Sequence, residues 1–373
     1  MPSLDTARRL KVECLANGIC ISEAAREALT FGEHPLSVFE YPTTSGVTFF
    51  TQDDIYVNGP FHGVYQKTAR AILDVSRKDG TFAVRWDDFE QTVEVMPLPG
   101  FLEARNSEGG RICSVVMSHA DRARLSPISG CAFNCQFCDT NLMPYRVASK
   151  EEVLEGLAAA LADSVLPARH VLISGGTPSP EDWPAIDETV EAVLRCCPLP
   201  VDVMLAPRED SLATVDKLVA WGTHGFAINL EIFDDDIARR LVPEKAELGR
   251  KTYARWIERA VELTGGRGRV RSLLLVGLEP MERTLEGVEW LARLGCDPVL
   301  SPFRPGSGTP LESHPVPDAA LLTRLWLEAS EVVSQYDVRL GPRCIPCQHN
   351  ALAFPDGTDA YYFSCKADPD EQT

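Results

Sequence analysis

From Arg124 onward the chain alternates short apolar runs with longer stretches whose apolar positions recur every three to four residues. The short runs are Leu125–Ser129, His170–Ser174, Val201–Ala206, Gly225–Phe233, Val270–Gly277 and Pro298–Phe303, and each predicts a strand. The stretches between them predict helices over Lys150–Leu161, Trp183–Arg195, Leu212–Trp221, Thr252–Leu263 and Thr284–Leu294. In the last of these, Leu285, Val288, Leu291 and Ala292 share one helical face. Strands alternating with helices predict parallel βα units and an α/β fold. In barrels made of such units, function sits on loops at the C-terminal ends of the strands.

Residues 1–120 follow another pattern. A short helix is expected over Ile21–Leu29, then strands over Gly46–Thr51, Asp54–Val57, Thr81–Trp86 and Thr92–Met96. Asn58-Gly59-Pro60 and Asp79-Gly80 supply turns. The expected organisation is an N-terminal mixed α/β domain over 1–120, a βα core over 121–312, and a C-terminal helix with a cysteine-bearing hairpin over 313–373.

With 373 residues the chain has room for two domains or one barrel with extensions. No apolar run approaches the ~20 residues needed to span a bilayer. The opening Met1-Pro-Ser-Leu-Asp-Thr-Ala-Arg-Arg-Leu lacks an apolar signal core, so a cytoplasmic protein without a membrane partner is expected. The net charge of -18 argues against a nucleic-acid partner, and the basic patch Arg267–Arg271 is too short to track a phosphate backbone. Twelve cysteines in a chain this long read as metal ligands plus buried thiols, not as a disulfide framework. Cys14, Cys20, Cys113, Cys196, Cys197 and Cys296 show no ligand spacing as a set.

The densest chemistry follows the first predicted strand: Ser126-Pro-Ile-Ser-Gly-Cys131-Ala-Phe-Asn-Cys135-Gln-Phe-Cys138-Asp. Three thiolates at C-x3-C-x2-C spacing can hold three irons of a cubane cluster and leave the fourth open to a small molecule. Structural zinc sites usually pair their ligands as two separated halves, and the residues just after Cys138 offer no further Cys or His.

The run resembles the signature of the radical S-adenosylmethionine (SAM) superfamily, down to the aromatic Phe137 before the third cysteine. The resemblance implies a partial (β/α)6 TIM-like barrel with a [4Fe–4S] cluster on Cys131, Cys135 and Cys138. Its open iron would chelate SAM, and one electron, from an external donor such as flavodoxin or ferredoxin, would cleave SAM to methionine and a 5′-deoxyadenosyl radical. The protein's part in such chemistry is to position substrate and exclude water.

Other segments extend the resemblance. His170-Val-Leu-Ile-Ser174-Gly175-Gly176-Thr177-Pro178 is similar to the family's GGE/GGT loop, which holds the SAM amino group. As a loop separate from the cysteines, it is expected to lose SAM affinity on Gly176→Val while the cluster content stays unchanged. Asn229 and Glu231 alternate onto one face of the fourth strand, where they meet either SAM or neighbouring strands. The fifth strand resembles the adenine-contacting segment, but Glu279 arrives one residue early; Arg271 and Ser272 are candidates for the SAM carboxylate or ribose. The sixth leads into Gly308-Thr-Pro-Leu311, as in the biotin synthase-like branch, and Arg304 is either an anion anchor or a surface arginine.

A second group stands near the C-terminus: Cys344, Cys347 and Cys365, spaced C-x2-C-x17-C, with Asp356-Gly357 as the turn of an expected hairpin. It is similar to the three-cysteine auxiliary cluster of the molybdenum cofactor cyclase branch. The alternatives are zinc on Cys344, Cys347, Cys365 and His349, or no metal. The functional expectation is hydrogen abstraction from a small polar metabolite in cofactor or natural-product biosynthesis. A peptide- or protein-modifying maturase and a non-enzymatic iron–sulfur or zinc module are the alternatives.

Overall fold

A computed structural model describes residues 4–29, 46–76, 79–208 and 211–357. Helix α1 (Thr6–Asn17) is capped by Asp5, whose carboxylate accepts from Arg8 N at 2.8 Å. It has two apolar faces: Ala7, Leu10 and Cys14 enter one core, while Val12, Leu15 and Ala16 enter another. A helix buried on both sides has no one-sided period, which is why its pattern does not announce it.

The remaining N-terminal elements are β1 (Ile19–Ile21), α2 (Glu23–Ala28), β2 (Val47–Thr51), β3 (Tyr56–Gly59), α3 (Tyr65–Thr68), β4 (Ala71–Val75), β5 (Phe82–Trp86) and β6 (Phe89–Val95). They form a six-stranded sheet ordered β1-β4-β5-β6-β2-β3, parallel only at β1–β4. The helix expected over Ile21–Leu29 is shorter, because Ile21 pairs with Leu73 and Ser22 caps α2 by accepting from Ala25 N.

The second sheet contains β7 (Val116–His119), β8 (Arg122–Leu125), β11 (His170–Ile173), β12 (Val201–Met204), β13 (Gly225–Ala227), β14 (Val270–Val276) and β15 (Asp297–Pro302). Its order is β15-β14-β13-β12-β11-β8-β7; the six strands from β8 to β15 are parallel and β7 adds antiparallel to β8. Helices α4 (Lys150–Ala162), α5 (Trp183–Cys196), α6 (Ala213–Trp221), α7 (Asp235–Leu241), α8 (Pro243–Thr264) and α9 (Met281–Arg293) connect these strands, and α10 (Ala319–Val333) follows. This is the expected partial (β/α)6 barrel: a curled sheet with two unjoined edges, β15 and β7.

Two strands depart from their sequence pattern. The run Leu125–Ser129 splits. Pro127 has no N–H for the ladder, so β8 stops at Leu125 and Ile128–Ser129 (β9) turns away to pair antiparallel with Arg146–Val147 (β10). That ribbon clamps the base of the cysteine loop. The fourth strand also ends early, at Ala227. Beyond it Asn229 Oδ1 accepts from Leu273 N at 3.2 Å, Ser272 Oγ accepts from Leu230 N at 3.0 Å, and Glu231 adopts φ 72. Side chains stand in for backbone in the ladder, and a non-glycine residue in the left-handed region marks a locally imposed conformation.

The segment after α10 follows β15. Gly341 N donates to Pro298 O and Leu352 N to Leu300 O, both at 2.8 Å. Pro346–Asn350 forms a 3-10 turn rather than the first arm of a hairpin; the second arm and Cys365 lie outside the described residues. Tyr56 of β3, Ala120 of the β7–β8 turn and Ile345 form one apolar cluster, which ties the N-terminal sheet to this segment beside the open edges.

Lys11 holds the same segment. Its Nζ is wholly buried and donates to Gln348 O and Ala353 O, both at 2.7 Å. Burial lowers its pKa from 10.5 to about 7. Between those values the unfolded chain carries a proton that the folded chain has lost, so stability rises with pH across that window. Lys11→Met abolishes this titration. The urea midpoint of the wild type relative to that of the variant is expected to rise from pH 7 to pH 9; a pH-independent difference would show that Lys11 stays charged.

Candidate active site

The cysteine loop leaves β9 through Gly130, at φ 73, and its three thiols are half-buried. Backbone hydrogen bonds fix it: Gln136 N donates to Leu241 O at 2.8 Å and Cys138 N to Cys135 O at 3.1 Å. The Gly-Gly-Thr loop after β11 packs directly against it. Thr177 N donates to Cys131 Sγ at 3.1 Å, and Ala132 N donates to Thr177 O at 2.8 Å. A Cβ built at Gly176 would lie 1.8 Å from Gly130 O and 2.7 Å from Cys131 Cα. Gly176 is therefore required for a close approach of two backbones. The expectation that the two loops are independent does not hold.

Ser174, Gly175, Gly176 and Thr177 line a cleft of about 800 Å³ together with Asn229 and Glu231. The cleft lies at the C-terminal ends of the second to fourth barrel strands, as expected for a parallel barrel. Ser174 Oγ accepts from Arg124 Nε at 2.5 Å. Lys245, from α8, pairs with Glu231 at 2.9 Å and donates to Asn229 O at 2.9 Å. Burial opposes the Lys245 charge, but Glu231, Tyr253 and Cys135 hold its pKa above the usual range. Glu231 Oε2 is buried without a hydrogen-bond partner among the described residues. The sequence reading missed Arg124 and Lys245, because a lone cation in a helix or strand carries no local signal.

Other candidates are engaged elsewhere. Arg271 Nη1 pairs with Asp202 Oδ2 at 2.6 Å and lines the opposite end of the lumen, beside Cys344 and Cys347. It is the second residue of β14, and five residues of strand, roughly 16 Å, separate it from the C-terminal end. That placement corrects its assignment to the SAM carboxylate or ribose. Arg304 donates to Asn58 Oδ1 at 2.6 Å and to Asn58 O at 2.9 Å, so two arms of its fork engage β3. Glu279 accepts from Phe233 N, Asp234 N and Thr284 Oγ1, anchoring the loop before α7. Phe137 packs among Ile232, Leu278 and Phe303 and lines a smaller recess with Arg304, outside the main cleft.

At the N-terminal mouth of the barrel, Cys344 and Cys347 meet His170, the first residue of β11, and Asp121, just before β8; all four are buried. His349 is also buried but is not in this group. Neither His170, at the start of an apolar run, nor the isolated Asp121 carries a local ligand signal in the sequence.

Residues 125–302 match the profile described as the Radical SAM superfamily, and this part of the chain is a radical SAM domain. It is 31% identical over 138 residues to bacteriochlorophyllide c C-7(1)-hydroxylase from Chlorobaculum limnaeum, a match spanning 36% of this chain and 33% of that relative. Among solved structures it is similar to a radical SAM methyltransferase from Sphaerobacter thermophilus, with TM-score 0.46, 18% identity, and coverage of 73% of this chain and 76% of that one. It is also similar to SuiB from Streptococcus suis bound to S-adenosylmethionine, with TM-score 0.47, 15% identity, and coverage of 61% of this chain and 51% of that one.

Radical SAM enzymes use a [4Fe–4S] cluster, SAM, a reductant and a substrate. The cysteine loop fits the cluster, with three thiols on one clamped loop and a backbone N–H on one sulfur. The cleft fits SAM, with two glycines at its wall and the unpartnered Glu231 Oε2 as an acceptor for a cationic or hydroxyl donor. No described helix is long and apolar enough to cross a membrane.

Proposed function

We propose that Cys131, Cys135 and Cys138 hold a [4Fe–4S] cluster that reductively cleaves SAM, and that the resulting 5′-deoxyadenosyl radical abstracts hydrogen from a small polar metabolite. The observation that carries this reading is the hydrogen-bonded contact between the cysteine loop and the Gly-Gly-Thr wall of the cleft. The methionine moiety lies along the wall formed by Ser174, Gly175, Gly176 and Thr177, with Asn229 beside it and Glu231 offering an acceptor. Lys245 neutralises Glu231 and keeps it in place. Apolar Ile173, Val203 and Leu205 line the same cleft and limit water around the reacting groups. The electron comes from an external donor such as flavodoxin or ferredoxin. The curated relative is named as a hydroxylase of a small molecule, which favours a metabolite over a peptide.

The test is anaerobic turnover with dithionite and fully deuterated cell extract, split into small-molecule and peptide fractions. Deuterium in 5′-deoxyadenosine is expected only from the small-molecule fraction. Transfer from the peptide fraction alone would make the protein a maturase, and absence of 5′-deoxyadenosine would remove the radical reading.

The Glu231 assignment has its own check. Glu231→Gln keeps volume and removes the charge. Losing a charge-assisted hydrogen bond costs about 1.5–3 kcal/mol, so SAM is expected to bind roughly 10–100-fold more weakly at unchanged iron content. Equal dissociation constants on iron-matched samples would return Glu231 to a structural pair with Lys245.

A further inference from the structure

We propose that Asp121, His170, Cys344 and Cys347 bind one zinc ion that fastens the C-terminal segment across the N-terminal mouth of the barrel. His170 Nε2 lies 3.2 Å from Cys347 Sγ, 3.7 Å from Cys344 Sγ and 3.5 Å from Asp121 Oδ1, and Cys344 Sγ lies 4.0 Å from Asp121 Oδ1. A tetrahedral zinc with ordinary Zn–S, Zn–N and Zn–O bonds sets its ligand atoms about 3.4–3.8 Å apart. Four of the six donor pairs stand 3.2, 3.5, 3.7 and 4.0 Å apart, close to the edge lengths of such a tetrahedron, and all four donors lie within 4.8 Å of one another. Thiolates at the corners of a cubane each sit on a different iron and diverge more widely, so this spacing selects a single ion over an auxiliary cluster.

The donor chemistry agrees. Two thiolates, one imidazole and one carboxylate suit zinc, and four protein ligands close the site as in structural zinc centres. Together with a divalent ion these donors leave an excess negative charge. Two arginines face it: Arg122 Nη1 lies 3.6 Å from Cys347 Sγ, and Arg169 Nη1 lies 3.8 Å from Asp121 Oδ2. Outer partners of this kind are usual around bound metals.

The location gives the ion a role. Asp121 and His170 begin the first two barrel strands, while Cys344 and Cys347 belong to the segment hydrogen-bonded along β15. Arg343 adds a two-point bond from that segment to Asp297, at 2.6 and 2.9 Å. An ion on the four ligands therefore links the first and last strands of a barrel whose sheet edges do not meet. Asn350 of the same segment lines both the lower lumen and the recess beside Phe137, so the tie also fixes the floor of the cavity.

The site does not depend on the radical chemistry, and metal content tests it independently. Anaerobically reconstituted full-length protein is expected to contain one zinc besides about four irons. Asp121→Asn and His170→Ala are expected to lower zinc at least tenfold while iron stays constant, and Cys365→Ser to keep the zinc. Should those variants fold poorly, wild type grown with cobalt supplies the second measurement: intense d–d bands of tetrahedral cobalt with a thiolate charge-transfer band are expected. About eight irons without zinc, or octahedral cobalt without the charge-transfer band, would overturn the proposal. Loss of zinc in Cys365→Ser with retention in Asp121→Asn would overturn the ligand set.

Discussion

Cys135→Ala is expected to abolish 5′-deoxyadenosine formation and to reduce the iron held at the cysteine loop from about four atoms to a small residue. Alanine keeps the backbone of the loop, where Cys138 N donates to Cys135 O and the neighbouring Gln136 N to Leu241 O. Only the thiolate is lost. Phe137, Ile232 and Phe303 pack in the same apolar cluster beside it. Mutating mere outer partners of a metal ligand costs about 10–100-fold in affinity or activity, and a direct ligand costs more. Iron analysis, the reduced-cluster EPR signal and chromatographic quantification of 5′-deoxyadenosine check this. Undiminished product from the variant would sink the assignment of the cysteine loop.

The second large effect is at Gly176. Gly176→Val is expected to lose the cluster and SAM binding together, in contrast to the independence its sequence position suggests. The obstruction is backbone, not a flexible side chain: the added Cβ would lie 1.8 Å from Gly130 O and 2.8 Å from Cys131 Cβ. Overpacking by a methylene typically costs 1–3 kcal/mol when side chains can yield. Here the cysteine loop itself must move, and Thr177 N can no longer reach Cys131 Sγ. Gly175, at φ 146, is the glycine required for its conformation; Gly176 is required for its lack of a side chain. Gly176→Ala should show the same loss in weaker form. Iron content and equilibrium SAM binding measured on one preparation decide the matter, since normal iron with impaired SAM binding would restore the picture of two separate loops.

The alternation of apolar runs along the chain carried most of the barrel, because strand and helix periods are short-range properties. His170–Ile173, Val201–Met204, Val270–Val276 and Asp297–Pro302 stand close to where their patterns put them. The pattern failed where tertiary contacts replaced local ones. Pro127 broke the first strand, side chains of Asn229 and Ser272 entered the ladder beside the fourth, and α1 hid its period by facing two cores.

By itself the sequence determined the cysteine loop and the Gly-Gly-Thr wall, since in both the chemistry lies within a few consecutive residues. Only the tertiary structure decided the partners of isolated charges and ligands. Arg271 went to Asp202 and Arg304 to Asn58, while Lys245 came to Glu231 from another helix. His170 and Asp121 met Cys344 and Cys347 across separations of 174 residues or more. Such meetings depend on strand register, on the level a residue occupies within its strand, and on how far the sheet curls. These quantities are set by the packing of the whole core, and no window of sequence contains them.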